Sequence, residues 1–144
     1  MKIVAKNSRA RFDYEILETV EAGLILSGPE VKSCRQGKVH IAGSYVSMRG
    51  ADVVLRSATI AAYPFAQLEG YNPTQDRVLL LRKSEGEKMK RALQEKGVAV
   101  IPLEVRAGKF IKIVLGFGRG RKRHDKRHRI RDRETLRRLQ QGKE

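Results

Sequence analysis

The chemistry that this sequence offers most densely is the binding of phosphate groups. Residues 119–129 read RGRKRHDKRHR. Guanidinium and ammonium groups pair with phosphates, and an imidazole such as that of His124 can stack on a base, so this run is typical of nucleic-acid binding. A charged run of this kind is also compatible with a solvated extension that has no function of its own, or with a nuclear localisation patch.

The other motifs that could carry chemistry are weak. His124 and His128 have the i, i+4 spacing of metal ligands on a helix, but no suitable third ligand accompanies them, so we predict no metal site. Residues 116–120 (GFGRG) have the glycines of a nucleotide-binding loop, but no helix with an apolar face follows; we interpret them as a hinge. His40 stands apart, and no nucleophile, base and orienting group occur at a spacing that is typical of a catalytic site. We therefore predict neither catalytic residues nor a cofactor.

Overall composition points to the same kind of partner. The 144 residues, 40% of them hydrophobic, suffice for one domain, and the net charge of +15 calls for a polyanion or an acidic membrane surface, with nucleic acid the leading candidate. No apolar run approaches the roughly 18 residues that span a bilayer, and the N-terminus lacks a signal-peptide pattern. We expect a cytoplasmic monomer without membrane contact. Cys34, the single cysteine, is expected to be a small buried residue.

The charge is divided unevenly and marks a boundary near Gly118. Residues 119–144 contain 12 of the 31 Lys/Arg and 4 of the 16 Asp/Glu, so they contribute +8. We predict a folded domain over residues 1–118 and a basic tail over residues 119–144, disordered when free and folding on binding. The apolar residues of this tail, too few for a core, are Ile130, Leu136 and Leu139.

The elements that must position these groups are mostly strands joined in hairpins. Three hairpins are predicted, over residues 14–26, 44–60 and 98–117, with turns at Gly23, Gly50 and Gly108. Helices are predicted over residues 31–36 and 84–96, each after a Ser-x-x-Glu capping pattern, Ser27 with Glu30 and Ser84 with Glu87. Because hairpins rather than βαβ units follow one another, we predict a mainly β fold: an antiparallel barrel of oligonucleotide-binding (OB) type with about six strands and two or three peripheral helices.

Three segments, in this order along the chain, carry a resemblance to a known family. They are residues 7–14 (NSRARFDY), residues 21–23 (EAG) with 28–38 (GPEVKSCRQGK), and residues 124–127 (HDKR). Together they resemble the SsrA-binding protein (SmpB) family, the protein partners of bacterial transfer-messenger RNA, and the resemblance covers essentially the whole chain. Three positions depart from the family pattern: Ser8 for a basic residue, Thr59 for histidine and Ala62 for proline.

The resemblance implies an antiparallel barrel of OB type and a nonenzymatic role in trans-translation. Such proteins bind the tRNA-like domain of transfer-messenger RNA, support its alanine charging and its delivery by elongation factor Tu, and bring it to ribosomes stalled without a stop codon. By resemblance, the barrel residues that contact RNA are Asn7, Arg9, Arg11, Tyr14, Glu21, Lys32, Arg35 and Lys38. Tyr14 could stack on a base or fill the core, and Glu30 is predicted only as a capping partner.

For the tail, the resemblance implies entry into the empty mRNA channel of the small ribosomal subunit, with a helix forming there against ribosomal RNA near the A site. Asp125 would orient neighbouring cations or cap that helix. The positions that match the family's decoding-centre and channel residues are Gly120, Arg121, Lys122, His124, Asp125, Lys126, Arg127 and Ile130. The alternatives are a ribosomal protein or general RNA chaperone with a basic extension, and, in a third class, a nuclease or RNA-modifying enzyme.

Overall fold

The computed structural model describes residues 1–66 and 69–120, which form mainly antiparallel β-structure with three short helices. The strands are β1 (Lys2–Lys6), β2 (Tyr14–Leu24), β3 (Val39–His40), β4 (Tyr45–Arg49), β5 (Asp52–Arg56), β6 (Thr59–Ile60), β7 (Arg77–Leu80), β8 (Val98–Ala107) and β9 (Ile111–Gly120). The helices are α1 (Ala10–Asp13), α2 (Gly28–Arg35) and α3 (Lys83–Gln94). The predicted class, mainly β with peripheral helices, is confirmed, although the strands outnumber the expected six.

Seven of these strands form one antiparallel sheet in the order β1-β8-β9-β2-β7-β5-β4, and β3 pairs with β6 separately. The long strand β2 pairs with β9 along most of its length and with β7 at its end. Strand β4 lies against β8 across the interior, so the sheet curls into a partly open barrel.

The interior of this barrel is one continuous apolar core. Cys34 belongs to it, as predicted, and burial raises the pKa of its thiol to about 11. Helix α3 is anchored to the barrel by Met89, whose side chain is fully buried. The largest of the other fully buried side chains are Ile41, Leu55, Ile60, Ile113 and Leu115.

The structure confirms several local predictions. Strands β4 and β5 form a hairpin whose turn places Gly50 at φ +60°, and β8 and β9 form a second hairpin around Gly108. Helix α2 has the full capping box: the Ser27 hydroxyl accepts from the Glu30 N–H at 3.3 Å, and the Glu30 carboxylate accepts from the Ser27 N–H at 3.1 Å. Gly37 follows the helix at φ +76°, as a terminating glycine should.

The hairpin predicted over residues 14–26 is wrong. Strand β2 runs unbroken through this region, and Gly23 pairs with Lys112 on one side and Leu80 on the other. Glycine is needed here for space rather than for a turn, because a Cβ at this position would lie 3.3 Å from the Cβ of Leu80. The cap predicted for α3 is also wrong: the helix begins at Lys83, with Arg82 as an N-cap that makes no side-chain hydrogen bond.

The hinge predicted at residues 116–120 is also wrong, because a strand again continues through the glycines. These residues are the end of β9 and are paired with β2, so the strand continues two residues beyond the change in charge at Gly118. A Cβ on Gly116 would lie 3.1 Å from Leu103, and a Cβ on Gly118 would lie 3.0 Å from the Cβ of Tyr14. The two glycines let neighbouring side chains pack across the strand.

Candidate nucleic-acid interface

All but one of the barrel residues predicted to bind RNA fall into two groups near one edge of the sheet. The N-terminal group, around α1, consists of Asn7, Arg9, Arg11 and Tyr14. The α2 group consists of Lys32 and Arg35 on α2 and Lys38 just beyond it, whereas Glu21 lies on β2, three strands in from the edge. Edge strand β1 links the two groups, because Asn7 follows it directly and a Cβ on Gly37, after α2, would lie 3.8 Å from the Val4 carbonyl.

The N-terminal group is held to the barrel by two kinds of contact. Ala10 and Phe12 are buried and anchor the short helix α1. Asn7 donates its backbone N–H to the Leu103 carbonyl at 2.8 Å and its amide Nδ2 to the Pro102 carbonyl at 3.0 Å. The amide group of Asn7 therefore fixes the segment to β8, and its nitrogen is already engaged in the free protein.

Arg9 extends from this anchored segment into solvent. Its guanidinium carbon lies 4.9 Å from the centroid of the Phe12 ring, and its Nε lies 3.6 Å from a carboxylate oxygen of Asp13. The ring and the carboxylate orient the guanidinium while leaving most of the side chain exposed, an arrangement suited to meeting a phosphate. Arg11, two residues further on, is also exposed.

A cavity of about 300 Å³ opens beside the N-terminal group. Tyr14 is half-buried against a small apolar cluster that includes Ile101, and it also lines the cavity. Tyr45, an exposed ring at the start of β4, lines the same cavity and was assigned no role from sequence. An exposed tyrosine at a strand end carries no periodic signal that would single it out.

The α2 group presents its cations on the outer face of the helix. The Lys32 ammonium lies 5.3 Å from the centroid of the Tyr63 ring, and Arg35 donates from Nη2 to the Lys109 carbonyl at 3.2 Å. The inner face is buried, where the Ser33 hydroxyl donates to the Ala61 carbonyl at 2.7 Å. Helical periodicity therefore directs residues 32 and 35 outward, and Lys38 is exposed just after the helix.

Beneath the α2 group lies a buried ion pair that sequence reasoning missed. Arg77 donates from Nε to Glu30 Oε2 at 3.0 Å, and its Nη2 lies 2.9 Å from the same oxygen. The Tyr71 hydroxyl and the Gln75 amide also donate to this oxygen. Burial by itself would raise the pKa of Glu30, but hydrogen bonds from Ser27 and Arg77 and the charge of Arg77 outweigh it and lower that pKa. The prediction that Glu30 is only a capping partner is wrong.

Arg77 also fixes the chain on the far side of this pair. It donates from Nη1 to the Ala58 carbonyl and from Nη2 to the Pro73 carbonyl, each at 2.8 Å. Helix α2, strand β7 and the segment around residue 73 are thereby joined at one guanidinium. This network therefore fixes the helix from which the outward-facing cations project.

Glu21, on β2, differs from the residues of the α2 group because its carboxylate already has a cationic partner. Arg106 Nη1 lies 3.4 Å from its carboxylate, and Arg106 Nε donates to Glu104 at 3.1 Å. The hydrogen bond and charge of Glu104, followed by the charge of Glu21, raise the pKa of Arg106. An RNA hydroxyl or base that binds Glu21 would have to share this carboxylate with Arg106.

Gly120 is where the described part of the predicted tail ends. It pairs with Tyr14 in the β2–β9 ladder, so the chain leaves the sheet beside the N-terminal group. The other predicted tail residues, Arg121, Lys122, His124, Asp125, Lys126, Arg127 and Ile130, lie outside the described residues.

Within residues 1–66 and 69–120, no three His, Cys, Asp or Glu side chains are grouped so that they could hold a metal ion. No helix within the same ranges has the length and apolar character to cross a membrane.

The fold and this basic edge define a small β-barrel protein of the RNA-binding class. A family model described as "SmpB protein" matches residues 4–144, and the chain therefore belongs to the SmpB family. An SsrA-binding protein of Acetivibrio thermocellus is 41% identical over 140 residues, covering 96% of this chain and 90% of the relative. One from a Synechococcus strain is 40% identical over 142 residues, covering 97% and 92%.

A solved structure agrees with these relatives. It is described as "tmRNA-SmpB: a journey to the center of the bacterial ribosome" and superposes with a TM-score of 0.68 at 38% identity. The match covers 88% of this chain and 93% of the other. The likeness therefore extends to the arrangement of the barrel as well as to its sequence.

Proposed function

We propose that this protein binds the tRNA-like domain of transfer-messenger RNA and brings it to stalled ribosomes for trans-translation, peptide tagging and ribosome rescue. The observation that carries the proposal is the SmpB family match over residues 4–144, which spans both the basic edge of the barrel and the tail. The protein acts in the cytoplasm as a monomeric adaptor without catalysis or cofactor. It joins a delivery complex with the alanine-charged RNA and elongation factor Tu.

The barrel supplies the specific grip on the tRNA-like domain. The cations of the N-terminal and α2 groups meet phosphates, while Asn7 and Tyr14 line the cavity where a base or a 2′-hydroxyl would enter. Residues 119–144 form the second part, which meets ribosomal RNA in the empty mRNA channel and near the decoding centre. Phosphates there would offset the repulsion among its cations.

This proposal can be tested by measuring binding of the full chain to the isolated tRNA-like domain and to an unrelated tRNA. The first RNA should bind more tightly, and equal affinity for the two would rule out the specific claim. Arg35→Gln should weaken binding and reduce the log–log salt slope by about 0.7 to 0.9 for the lost phosphate contact. Lys90→Gln, an exposed α3 cation outside both groups, is the matched control and should leave affinity and slope unchanged.

The second candidate function is that of a ribosomal protein or general RNA chaperone, and it is favoured by the high positive charge of residues 119–144. The two functions differ in how the protein stays on the ribosome. A ribosomal protein remains at one copy per ribosome through a high-salt wash, whereas an adaptor is lost and returns only with its RNA. Quantifying the protein in salt-washed ribosomes decides between them.

A further inference from the structure

The ammonium group of Lys32, on the outer face of α2, lies over an aromatic ring rather than beside a carboxylate. Its nitrogen is 5.3 Å from the centroid of the ring of Tyr63, a residue in the segment that follows β6. Lys32 is exposed, and within residues 1–66 and 69–120 its ammonium is not within ion-pair distance of any carboxylate. The ring therefore orients this cation and leaves its charge unneutralised.

The segment that carries Tyr63 is tied to α2 just before the ring. The Ala61 carbonyl accepts from the Ser33 hydroxyl at 2.7 Å, and the Ala61 N–H donates to the Lys38 carbonyl at 3.1 Å. Ser33 is the neighbour of Lys32 in the helix, and Tyr63 lies two residues beyond the bonded Ala61. These two hydrogen bonds therefore set the position of the ring relative to the lysine.

The Tyr63 ring has a second neighbour in its own turn. Phe65 makes an edge contact with it, the centroids 5.4 Å apart at an interplanar angle of 66°, and the Ala66 N–H donates to the Tyr63 carbonyl at 3.1 Å. In the part of the chain that the structure describes, Tyr63 belongs to neither apolar cluster of the barrel. Replacing this ring should therefore change the surface beside α2 and leave the barrel core intact.

A ring and a carboxylate orient a cation with different consequences. A carboxylate neutralises its partner, as Glu21 and Glu104 do for Arg106, whereas the face of a ring attracts a cation without cancelling its charge. Lysine has a long, flexible side chain that loses rotamer freedom when its ammonium is bound. An ammonium that is held in advance loses less of that freedom on binding, and it keeps its full charge for a phosphate.

We propose that Tyr63 is a positioning residue for RNA binding, because its ring holds the Lys32 ammonium where that group meets a phosphate of the bound RNA. Tyr63 acts through Lys32 and makes no contact of its own with the RNA. The proposal rests on the proposed function for the identity of the RNA. Loss of the ring should weaken binding about two- to fivefold, the range of a cation–π contact at an exposed site, and only while Lys32 is present.

The first experiment is a double-mutant cycle, measured as the affinity of the full-length protein for the isolated tRNA-like domain. Tyr63→Leu should weaken binding, whereas Tyr63→Phe, which keeps a ring, should bind as the wild type does. In a protein that carries Lys32→Gln, Tyr63→Leu should have no further effect. In a protein that carries Lys90→Gln, the matched α3 cation, Tyr63→Leu should weaken binding as much as in the wild type.

The cycle separates positioning from a general effect on the fold. If Tyr63→Leu weakened binding equally in the Lys32→Gln and Lys90→Gln proteins, the ring would act on the fold or on the RNA directly, and the proposal would be overturned. Wild-type affinity of Tyr63→Leu would also overturn it. Lys32→Gln alone should lower the log–log salt slope by about 0.7 to 0.9, and an unchanged slope would show that Lys32 meets no phosphate and would overturn the proposal too.

The second experiment observes the ammonium in the free protein by nuclear magnetic resonance. The ring current shifts protons that lie over an aromatic face upfield, so the ε-methylene protons of Lys32 should resonate upfield of those of Lys90. Tyr63→Leu should remove this difference and Tyr63→Phe should keep it. Coincident resonances of the two lysines in the wild-type protein would overturn the proposal.

Failure of the proposed function would be seen separately. If the wild-type protein binds the tRNA-like domain no better than an unrelated tRNA, the proposed function fails, whatever Tyr63→Leu does. The positioning role is then decided by the ring-current shift and by the same cycle with the unrelated tRNA as the probe, since its backbone offers the same phosphates. Equal effects of Tyr63→Leu in the Lys32→Gln and Lys90→Gln proteins would overturn the role with that probe as well.

Discussion

Arg77 and Glu30 form an ion pair whose closest atoms, Nη2 and Oε2, are 2.9 Å apart, with only 1% and 5% of the two side chains exposed. The pair joins β7 to the first turn of α2 and so fixes the helix whose outer face presents Lys32 and Arg35. Two buried charges are costly to desolvate, and such a pair contributes more to a fixed geometry than to net stability. In this protein, the ion pair fixes the position of helix α2, which carries the cations of the α2 group.

Removing one partner of this pair should strongly destabilise the protein. Arg77→Met leaves the Glu30 carboxylate buried without its counter-charge, and we expect a loss of about 3 to 5 kcal/mol in the free energy of unfolding. Urea unfolding followed by circular dichroism measures it. Arg49→Met is the matched control, because Arg49 lies 3.6 Å from Asp76 in a pair that is half exposed and should cost at most about 1 kcal/mol. Equal losses in the two variants would contradict a special role for the buried pair.

The Glu30 carboxylate should also leave a signature in the pH dependence of stability. Its pKa in the folded protein lies below the ordinary value of 4.5, so its ionisation stabilises the fold fully above pH 4.5, and this contribution is lost as the pH falls through the lower, folded-state pKa. The difference in the free energy of unfolding between wild type and Glu30→Gln should therefore be constant near neutral pH and shrink in acid. Urea titrations at several pH values measure it, and a difference that grows in acid would refute the assignment.

Local sequence patterns were enough to predict the parts of the fold that depend on neighbouring residues. The capping box of Ser27 and Glu30 lies within one turn of helix, and the turn at Gly50 lies between two strands that pair directly. Cys34 needed only its chemical type to be placed in the core. The outward direction of residues 32 and 35 follows from helical period once α2 is known.

What the sequence did not reveal depends on contacts between distant residues. Glu30 and Arg77 are far apart in the chain, and Arg77 lies on β7, a four-residue strand too short to show alternation. Gly23 and Gly118 were interpreted as a turn and part of a hinge, because a glycine needed for close approach has the same letter as one needed for positive φ. Only the strand register distinguishes the two uses.

The packing role of Gly118 gives a direct test of that distinction. Gly118→Ala would place a Cβ 3.0 Å from the Cβ of Tyr14 and 3.3 Å from the Glu15 carbonyl, and we expect a destabilisation of about 1 to 3 kcal/mol. Gly120→Ala is the control, because a Cβ there meets nothing within 4 Å. Thermal or urea unfolding of the two variants measures the effect. If Gly118→Ala were as stable as Gly120→Ala, residues 116–120 would not be packed in the sheet as described.

The proposed division between barrel and tail can be tested by truncation, and the cut should follow the last paired residue of β9. The ladder between β2 and β9 is complete at Gly120, and Arg119 pairs with Glu95 of the barrel at 3.2 Å. Removing residues 121–144 should therefore leave affinity for the tRNA-like domain nearly unchanged and abolish tagging on stalled ribosomes. Gel shift and a cell-free tagging assay measure the two activities.

A cut placed two residues earlier provides the comparison. Removing residues 119–144 also deletes the strand partners of Tyr14 and Glu15, so the N-terminal group loses part of its support and RNA affinity should fall as well. In a full-length chain, Lys126→Gln combined with Arg127→Gln should reproduce the tagging defect of the shorter truncation, because the cations that would meet ribosomal phosphates are lost while the barrel is intact. If the shorter truncation lost RNA binding together with tagging, the two activities would not be divided between barrel and tail.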